Sequence, residues 1–190
     1  MAKVLVIRLS AIGDVAMTVP VIYSAAKANP EDSFTVLTQA FLMPLFMNRP
    51  PNVEVIGINT KGAEKGLIGL LKFISALLKF DFDVILDLHN VIRTIIICTF
   101  FRLNGKRVFV LDKARKERKR LTAIKGKRLY PLRPVIVRYA DVFRAAGLNY
   151  TETFTSLYEE SPAELSGMAS VAGIKKGKWI GVAQIGRAHV

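Results

Sequence analysis

The 190-residue sequence contains one cysteine, Cys98, and only two histidines. A single thiol cannot form a disulfide within the chain, and it excludes a cysteine-based structural zinc site. With so few histidines, mixed Cys and His zinc clusters are also disfavoured. A reducing, cytoplasmic compartment is the simplest interpretation of this composition.

The sequence also lacks a long uninterrupted apolar run. The N-terminal run at residues 4–7 is broken by Arg8 and is too short for the core of a signal peptide. The most apolar segment, residues 66–80, contains two lysines and falls short of the roughly 18 uncharged residues that a membrane span needs. We therefore expect neither secretion nor a membrane-spanning helix.

Acidic residues are scarce, with 15 Asp and Glu against 28 Lys and Arg, which gives a formal net charge of +13. This excess predicts an anionic partner: a nucleic acid, an acidic lipid or a phosphorylated small molecule. Hydrophobic residues make up 51% of the chain, so disorder is excluded and a buried core is expected.

Short apolar runs alternate with segments of helical periodicity, which is typical of βαβ units. We predict strands at residues 4–9, 33–37, 53–58, 83–88 and 107–111, and helices at 15–28, 39–47, 66–79, 91–103, 135–146 and 162–172. Pro20 either kinks the first helix or marks its true first turn. The strands lack polar alternation, which predicts a Rossmann-like parallel sheet with helices on both faces.

The first candidate site is the turn that follows the first strand, at Ser10, Ala11, Gly13 and Asp14. In open α/β sheets, ligands bind beyond the carboxyl ends of the strands, close to helix N-termini. Gly13 allows a tight turn and a close approach to a ligand, and Asp14 presents a carboxylate there. The alternative is structural, with Gly13 forming the turn and Asp14 capping a helix.

The second candidate site follows the fourth strand, where His89, Asn90 and Arg93 face the same crevice. These side chains could hydrogen-bond a polar ligand, and Arg93 could pair with a carboxylate or a phosphate. Asp87 is expected to support this loop. The alternative is a solvated loop in which Asn90 caps the next helix.

Two surfaces complete the candidates. Residues 113–128 hold nine basic residues and one glutamate; the predicted anion-binding patch consists of Lys113, Arg115, Lys116, Arg118, Lys119 and Arg120. The patch is either a solvated face, a nucleic-acid site or a site for anionic headgroups or a phosphorylated small molecule. Residues 66–80 form an apolar stripe that either packs in the core or dips into a bilayer interface.

Four stretches, in order, resemble glycosyltransferase family 9, the bacterial lipopolysaccharide heptosyltransferases. They are residues 7–20 (IRLSAIGDVAMTVP), 83–94 (DVILDLHNVIRT), 137–148 and 179–183. The sequence departs from the family at His89 and Asn90, where Gln and Gly are commoner. The last six residues do not continue the pattern and look like a translated sequencing adaptor, so we predict that His189 has no function.

This resemblance implies the N-terminal half of a two-domain GT-B glycosyltransferase. Residues 1–160 would be the acceptor-binding domain, 161–184 a linker and the first strand of a truncated donor-binding domain, and 185–190 a non-native tail. Asp14 matches the carboxylate proposed as general base in such families, so a hydroxyl of the acceptor would be its target. The fragment alone would be inactive.

The resemblance further implies ADP-heptose as donor and the lipid A core of lipopolysaccharide as acceptor, without a metal or another cofactor. The protein would lie peripherally on the anionic inner face of the bacterial inner membrane, with no nucleic-acid partner. The rival interpretation, from composition, is a non-catalytic basic α/β module that binds nucleic acid or acidic lipid.

Overall fold

Five parallel strands form one sheet in the computed structural model, which describes residues 1–124 and 129–157. The strands are β1 (Lys3–Ile7), β2 (Ser33–Gln39), β3 (Val53–Ile58), β4 (Val84–Asp87) and β5 (Arg107–Val110). Their order in the sheet is β3-β2-β1-β4-β5. The chain therefore builds outward from β1 in one direction and then returns to place β4 on the other side of β1.

Helices connect the strands and cover both faces of the sheet. They are α1 (Ile12–Ala16), α2 (Val19–Ala28), α3 (Gly66–Leu78), α4 (Ile92–Leu103), α5 (Arg115–Leu121) and α6 (Val135–Ala145), with a 3-10 helix at Ala40–Phe46. Gly147, with φ of 83°, lies just beyond α6 in the left-handed region that glycine tolerates at the end of a helix.

The core lies on the two faces of the sheet because alternate side chains of a strand point to opposite sides. Val4 and Val6 of β1 are buried in one cluster, with side chains of α2 and α6. Leu5 and Ile7 are buried in the other, with side chains of α3 and α4. Because both faces are covered, the central strand is apolar from Val4 to Ile7, and the predicted Rossmann-like α/β fold is confirmed.

The first predicted helix is two helices in the structure. α1 ends at Ala16, and α2 begins at Val19 with Pro20 in its first turn. Proline fits there because the first N–H groups of a helix have no partner within the helix. Of the two roles predicted for Pro20, the structure thus shows the first-turn position.

Two further elements differ from the sequence-based expectation. The segment after β2 forms a 3-10 helix that contains Pro44, which supplies no backbone N–H for a regular α-helix. The basic segment contains the short helix α5, which its charge pattern did not reveal because no residue of α5 is buried and no apolar stripe marks it.

Some predictions fall outside the described residues. These are the helix at 162–172, the strand within 178–183, the linker, the C-terminal tail, and the basic residues at 125–128. Within the part of the chain that the structure describes, no helix has the length and apolar character needed to cross a membrane.

Candidate functional site

The loops after β1 and β4 diverge at one point of the sheet. These two strands are neighbours, with Ile7 beside Asp87, but the chain continues from each of them toward opposite sides of the sheet. Such a switch in strand order opens a crevice at the carboxyl ends of the strands. The crevice is bridged by the Ser10 hydroxyl, whose oxygen lies 3.3 Å from Nε2 of His89.

Asp14 lies in the first turn of α1 and forms an ion pair with Arg8. The distance between Nη2 of Arg8 and Oδ2 of Asp14 is 2.5 Å. Arg8 is buried and also donates to the carbonyl of Leu88 at 2.6 Å, whereas the Asp14 side chain is 41% exposed. The N-cap of α1 is Ala11, without a side-chain cap bond, so Asp14 is not the capping residue.

A cavity of about 360 Å³ opens beside this ion pair. The loops after β1, β4 and β5 and the helices α5 and α6 all contribute to its wall. The lining residues are Arg8, Ser10, Ala11, Asp14, His89, Leu111, Lys113, Arg118, Val135, Arg138 and Tyr139. We refer to this space as the cationic cavity.

The charge of the cationic cavity is strongly unbalanced. Besides Arg8, which pairs with Asp14, three basic residues line it: Lys113, Arg118 and Arg138. The ion pairs within the described residues give none of these three a carboxylate partner. Burial, together with the nearby charges of Arg115 and Arg8, lowers the pKa of Lys113. This excess of positive charge favours an anionic ligand.

Unpartnered polar atoms are concentrated at the same place. Across the described residues, five buried side-chain nitrogen or oxygen atoms have no hydrogen-bond partner, and four belong to residues that line the cationic cavity. These four are Arg8 Nε, His89 Nδ1, Arg138 Nε and Tyr139 Oη. Such atoms are rare because each costs about 1–3 kcal/mol. Their clustering indicates a site that a polar ligand completes.

The two rings in the wall are held in their neutral forms. Burial lowers the pKa of His89 from 6.5 to about 4, and the charges of Arg8 and Lys113 act in the same direction, against the effect of Asp14. Burial also raises the pKa of Tyr139, whose ring packs against Arg8 with the guanidinium carbon 5.8 Å from the ring centroid. A neutral imidazole and a phenol can each donate or accept a hydrogen bond.

The loop after β4 is organised by Asp87. Its buried carboxylate accepts the backbone N–H groups of His89 at 2.9 Å and Asn90 at 2.8 Å, and the Thr94 hydroxyl at 2.8 Å. Asn90 adopts a left-handed φ of 50°, which asparagine tolerates better than most residues. The N-cap of α4 is Val91, so Asn90 does not have the capping role considered above.

The predicted site residues are only partly brought together. Ser10, Ala11, Asp14 and His89 line the cationic cavity. The side chain of Asn90 instead donates to the carbonyl of Leu111 at 3.1 Å. The Arg93 guanidinium donates to the carbonyl of Glu64 at 3.1 Å, outside the cavity wall.

Gly13 has a different role from the tight turn that the sequence suggested. Its φ lies outside the left-handed region, so the backbone conformation does not require glycine. A Cβ at this position would meet no protein atom within 4 Å among the described residues. The space beside Gly13 is therefore open.

The structure divides the predicted anion-binding patch into two parts. Lys113 and Arg118 turn into the cationic cavity, whereas Arg115, Lys116, Lys119 and Arg120 are outside its wall. These last four are exposed on α5.

The apolar stripe of α3 is divided in the same way. Leu70, Ile74 and Leu77 are buried in the core, and Leu67 and Ile68 are exposed. The core interpretation of residues 66–80 therefore holds for one side of α3, and insertion of the exposed side into a bilayer interface stays a prediction.

Sequence reasoning did not select Arg8, Arg138 and Tyr139 as site residues. Arg8 carries a visible signal, since a charged residue follows a buried strand directly. Arg138 and Tyr139 lie in the family-like stretch 137–148, but nothing in that stretch marks them as site residues until α6 packs beside β5.

No family profile and no curated protein sequence matches the chain. Solved structures do. The glycosyl transferase family 9 protein from Veillonella parvula is 20% identical with a TM-score of 0.58, covering 82% of this chain and 45% of its own. The E. coli heptosyltransferase WaaC with ADP is 22% identical with a TM-score of 0.54, covering 81% and 49%. The same enzyme with ADP-2-deoxy-2-fluoro heptose is 21% identical with a TM-score of 0.54, and the match covers 81% of this chain and 50% of that one.

These similarities define the class of fold. The described chain has the fold of the N-terminal part of a GT-B glycosyltransferase, and the structures it resembles are members of glycosyltransferase family 9. The chain spans about half the length of these solved structures.

Proposed function

We propose that this chain is the acceptor-binding half of an inverting glycosyltransferase that transfers heptose from ADP-heptose to the inner core of lipopolysaccharide. The observation that carries the proposal is the placement of Asp14 in the wall of the cationic cavity, at the switch point of the sheet. The likeness to family 9 structures supports it, because the chain has the fold of their N-terminal part.

Asp14 is the general base in this proposal. Its partly exposed carboxylate takes the proton of an acceptor hydroxyl as that oxygen attacks the anomeric carbon of the donor. The bond between the anomeric carbon and the nucleotide diphosphate breaks, and the configuration inverts. Arg8 orients the carboxylate by holding one of its oxygens, and the second oxygen remains for the substrate.

The acceptor is held through its negative charges. Lys113, Arg118 and Arg138 present cationic groups around the cavity, and the unpartnered Tyr139 hydroxyl is a further polar group of its wall. An acceptor that carries carboxylate or phosphate groups next to the reactive hydroxyl matches this arrangement. The lipid A core, an anionic lipid-linked sugar, is the acceptor that we propose.

The donor is bound elsewhere in this proposal. ADP-heptose occupies a second half of the enzyme, in which Lys and Arg side chains or helix N-termini stabilise the departing diphosphate, so that the transfer uses no metal or other cofactor. The protein lies in the cytoplasm, on the anionic inner face of the inner membrane, where the lipid acceptor is found.

The test of the catalytic role is Asp14→Asn, in an enzyme that joins this chain to a donor-binding half. The substitution keeps the size of the side chain and removes the base, so turnover should fall about 10²–10⁴-fold while acceptor affinity changes little. Steady-state transfer of heptose and calorimetric titration of the acceptor measure the two quantities separately.

Asp81→Asn is the matched control for this test. Asp81 is an exposed carboxylate paired with Lys106, outside the wall of the cationic cavity, so this substitution should leave turnover unchanged. Wild-type turnover in Asp14→Asn would contradict the proposed mechanism.

A further inference from the structure

A second and larger cavity, of about 560 Å³, lies beside the cationic cavity. It is a groove between β5, α5, α6 and the connector at residues 129–134. Most of its wall is apolar: Phe109, Val110, Tyr130, Pro131, Leu132 and Val142. The Tyr130 hydroxyl donates to the carbonyl of Glu117 at 3.3 Å, which fixes the connector against α5. We refer to this space as the apolar groove.

The apolar groove continues from the cationic cavity. Arg138 belongs to the wall of both. Along α6, Val135 and Tyr139 line the cationic cavity, and Val142 and Ala145 line the groove. Since a helix rises 1.5 Å per residue, the two spaces together follow α6 for about 15 Å. One end of this trough is cationic and the other is apolar.

Two of the three acidic residues in the wall of the groove, Asp112 and Asp141, have partners within the fold. The Asp112 carboxylate accepts the backbone N–H of Ala114 at 2.9 Å. Asp141 pairs with Arg133 at 2.8 Å and with Arg144 at 3.2 Å. The third, Glu117, adds negative charge to the groove. The positive charge that attracts an anionic head therefore comes from the cationic cavity, and the groove offers mainly apolar contact beside it.

We propose that the trough binds a single anionic amphiphile, with its phosphate or carboxylate head in the cationic cavity and an unbranched alkyl chain in the apolar groove. Charge complementarity selects the head, and burial of methylene groups adds affinity for the chain. The proposal rests on the anion-binding role proposed above for the cationic cavity, and it is independent of sugar transfer.

The test compares soluble phosphates that differ only in their chain. Calorimetric titration of the 190-residue protein with inorganic phosphate, butyl phosphate and decyl phosphate, below micelle-forming concentrations, measures the contribution of chain length. Each fully buried methylene adds about fourfold to binding, so even partial burial of six should make decyl phosphate bind at least about 30-fold more tightly than butyl phosphate.

Ala145→Trp isolates the groove from the cationic cavity. Ala145 is exposed on α6 and lines the groove but not the cationic cavity, so a tryptophan there adds bulk at the end of the trough away from Lys113 and Arg118. We expect this variant to lose the chain-length increment and to bind inorganic phosphate as the unmodified protein does. Ala76→Trp, at an exposed position of α3, adds the same side chain elsewhere and should keep the increment. Circular dichroism verifies the fold of both variants.

The outcomes separate this proposal from the proposed function. Phosphate binding without a chain-length increment would overturn the amphiphile site and leave the anion site intact. Equal binding of decyl phosphate by Ala145→Trp and Ala76→Trp would also overturn the amphiphile site without affecting the anion site. Binding of decyl phosphate only when it is incorporated into vesicles would do the same. Tight binding of 1-decanol without any gain from the phosphate would show an apolar site unconnected to the cationic cavity, which also contradicts the proposal.

Discussion

Arg8 is a charged residue buried within the fold, and the site depends on it. Its guanidinium pairs with Asp14, donates to the Leu88 carbonyl and packs on the Tyr139 ring. A buried ion pair adds little net stability, but removal of one partner leaves an uncompensated charge. Arg8 therefore serves mainly to fix the position of Asp14 relative to β4 and α6.

Asp87 has a supporting role that the sequence indicated and the structure explains. Its carboxylate is fully buried and is satisfied by two backbone N–H groups and a hydroxyl from its own loop and helix. A carboxylate occupied in this way does not face the ligand. It sets the backbone of the loop and so places the ring of His89 against Ser10.

The depressed pKa of His89 predicts a pH-dependent stability. The folded protein holds the ring neutral down to about pH 4, whereas the unfolded chain protonates it near 6.5. The unfolded state therefore binds more protons between these values, and the free energy of unfolding falls as the pH is lowered from about 6.5 toward 4. Above pH 6.5 this contribution is constant.

Urea unfolding at pH 7 and pH 5 measures this effect, with His89→Gln as the comparison. The unmodified protein should lose more stability over this interval than the variant, by on the order of 1 kcal/mol after allowance for solvent around the half-buried ring. An equal loss in both proteins would show that His89 does not titrate differently in the folded state.

At the scale of elements, α5 is a helix whose charges serve two surfaces. It has no buried residue, and its last turn carries Arg118, Lys119 and Arg120. Positive charge at a helix C-terminus is favourable because it opposes the negative end of the helix dipole. Arg118 turns toward the cationic cavity, and the outer residues are free to contact an extended anionic surface.

The outward residues of α5 should control attraction to anionic membranes. Changing Arg115, Lys116, Lys119 and Arg120 to Gln should greatly weaken co-sedimentation with anionic vesicles, since each basic residue near such a surface is worth about 1 kcal/mol. Binding by the unmodified protein should fall steeply with salt because the Debye length is about 8 Å at physiological ionic strength. Insertion of the exposed apolar side of α3 would instead persist at high salt.

A variant matched in charge separates the patch from the overall charge. Changing Lys61, Lys65, Lys72 and Lys79 to Gln removes the same number of charges around α3. If this variant loses as much vesicle binding as the α5 variant, the patch is not the anchor. Stronger binding to duplex DNA than to anionic vesicles at equal salt would favour the non-catalytic binding module.

At the scale of the whole molecule, several exposed apolar side chains follow the carboxyl ends of the strands. Ile12 follows β1, Phe41 follows β2, Ile68 follows β3 and Ile92 follows β4, and all four are exposed. This is the edge at which the cationic cavity opens. Under the proposed function, this is the edge that would face a donor-binding half.

The 190-residue protein should bind the acceptor and fail to transfer sugar to it. In the proposed mechanism the cationic cavity provides the acceptor site and the base, and a nucleotide-binding half provides the donor. Incubation with ADP-heptose and a lipid A core acceptor should give no product by mass spectrometry, with the E. coli heptosyltransferase as a positive control. Product above the level of a heat-denatured sample would contradict this division of roles.

The sequence by itself determined which segments form strands and helices. The spacing of apolar residues along a segment indicates whether the segment is buried on one side or on both. This spacing is a local property, so it can be interpreted without knowing which segments pack beside it. It located β3 at its observed bounds and α3 and α4 to within one residue. The sequence-based prediction missed α5 because a helix without a buried face has no periodic spacing of apolar residues.

The tertiary structure alone decided which residues meet at the site. The sequence singled out Asp14 and His89 because each follows a predicted strand, and these strands proved to be neighbours. It could not place Arg138 and Tyr139 in the same cavity wall as Asp14, because that arrangement depends on α6 packing beside β5 and on the order of the strands between them. Strand order is set by the packing of elements distant in sequence, so no local pattern encodes it.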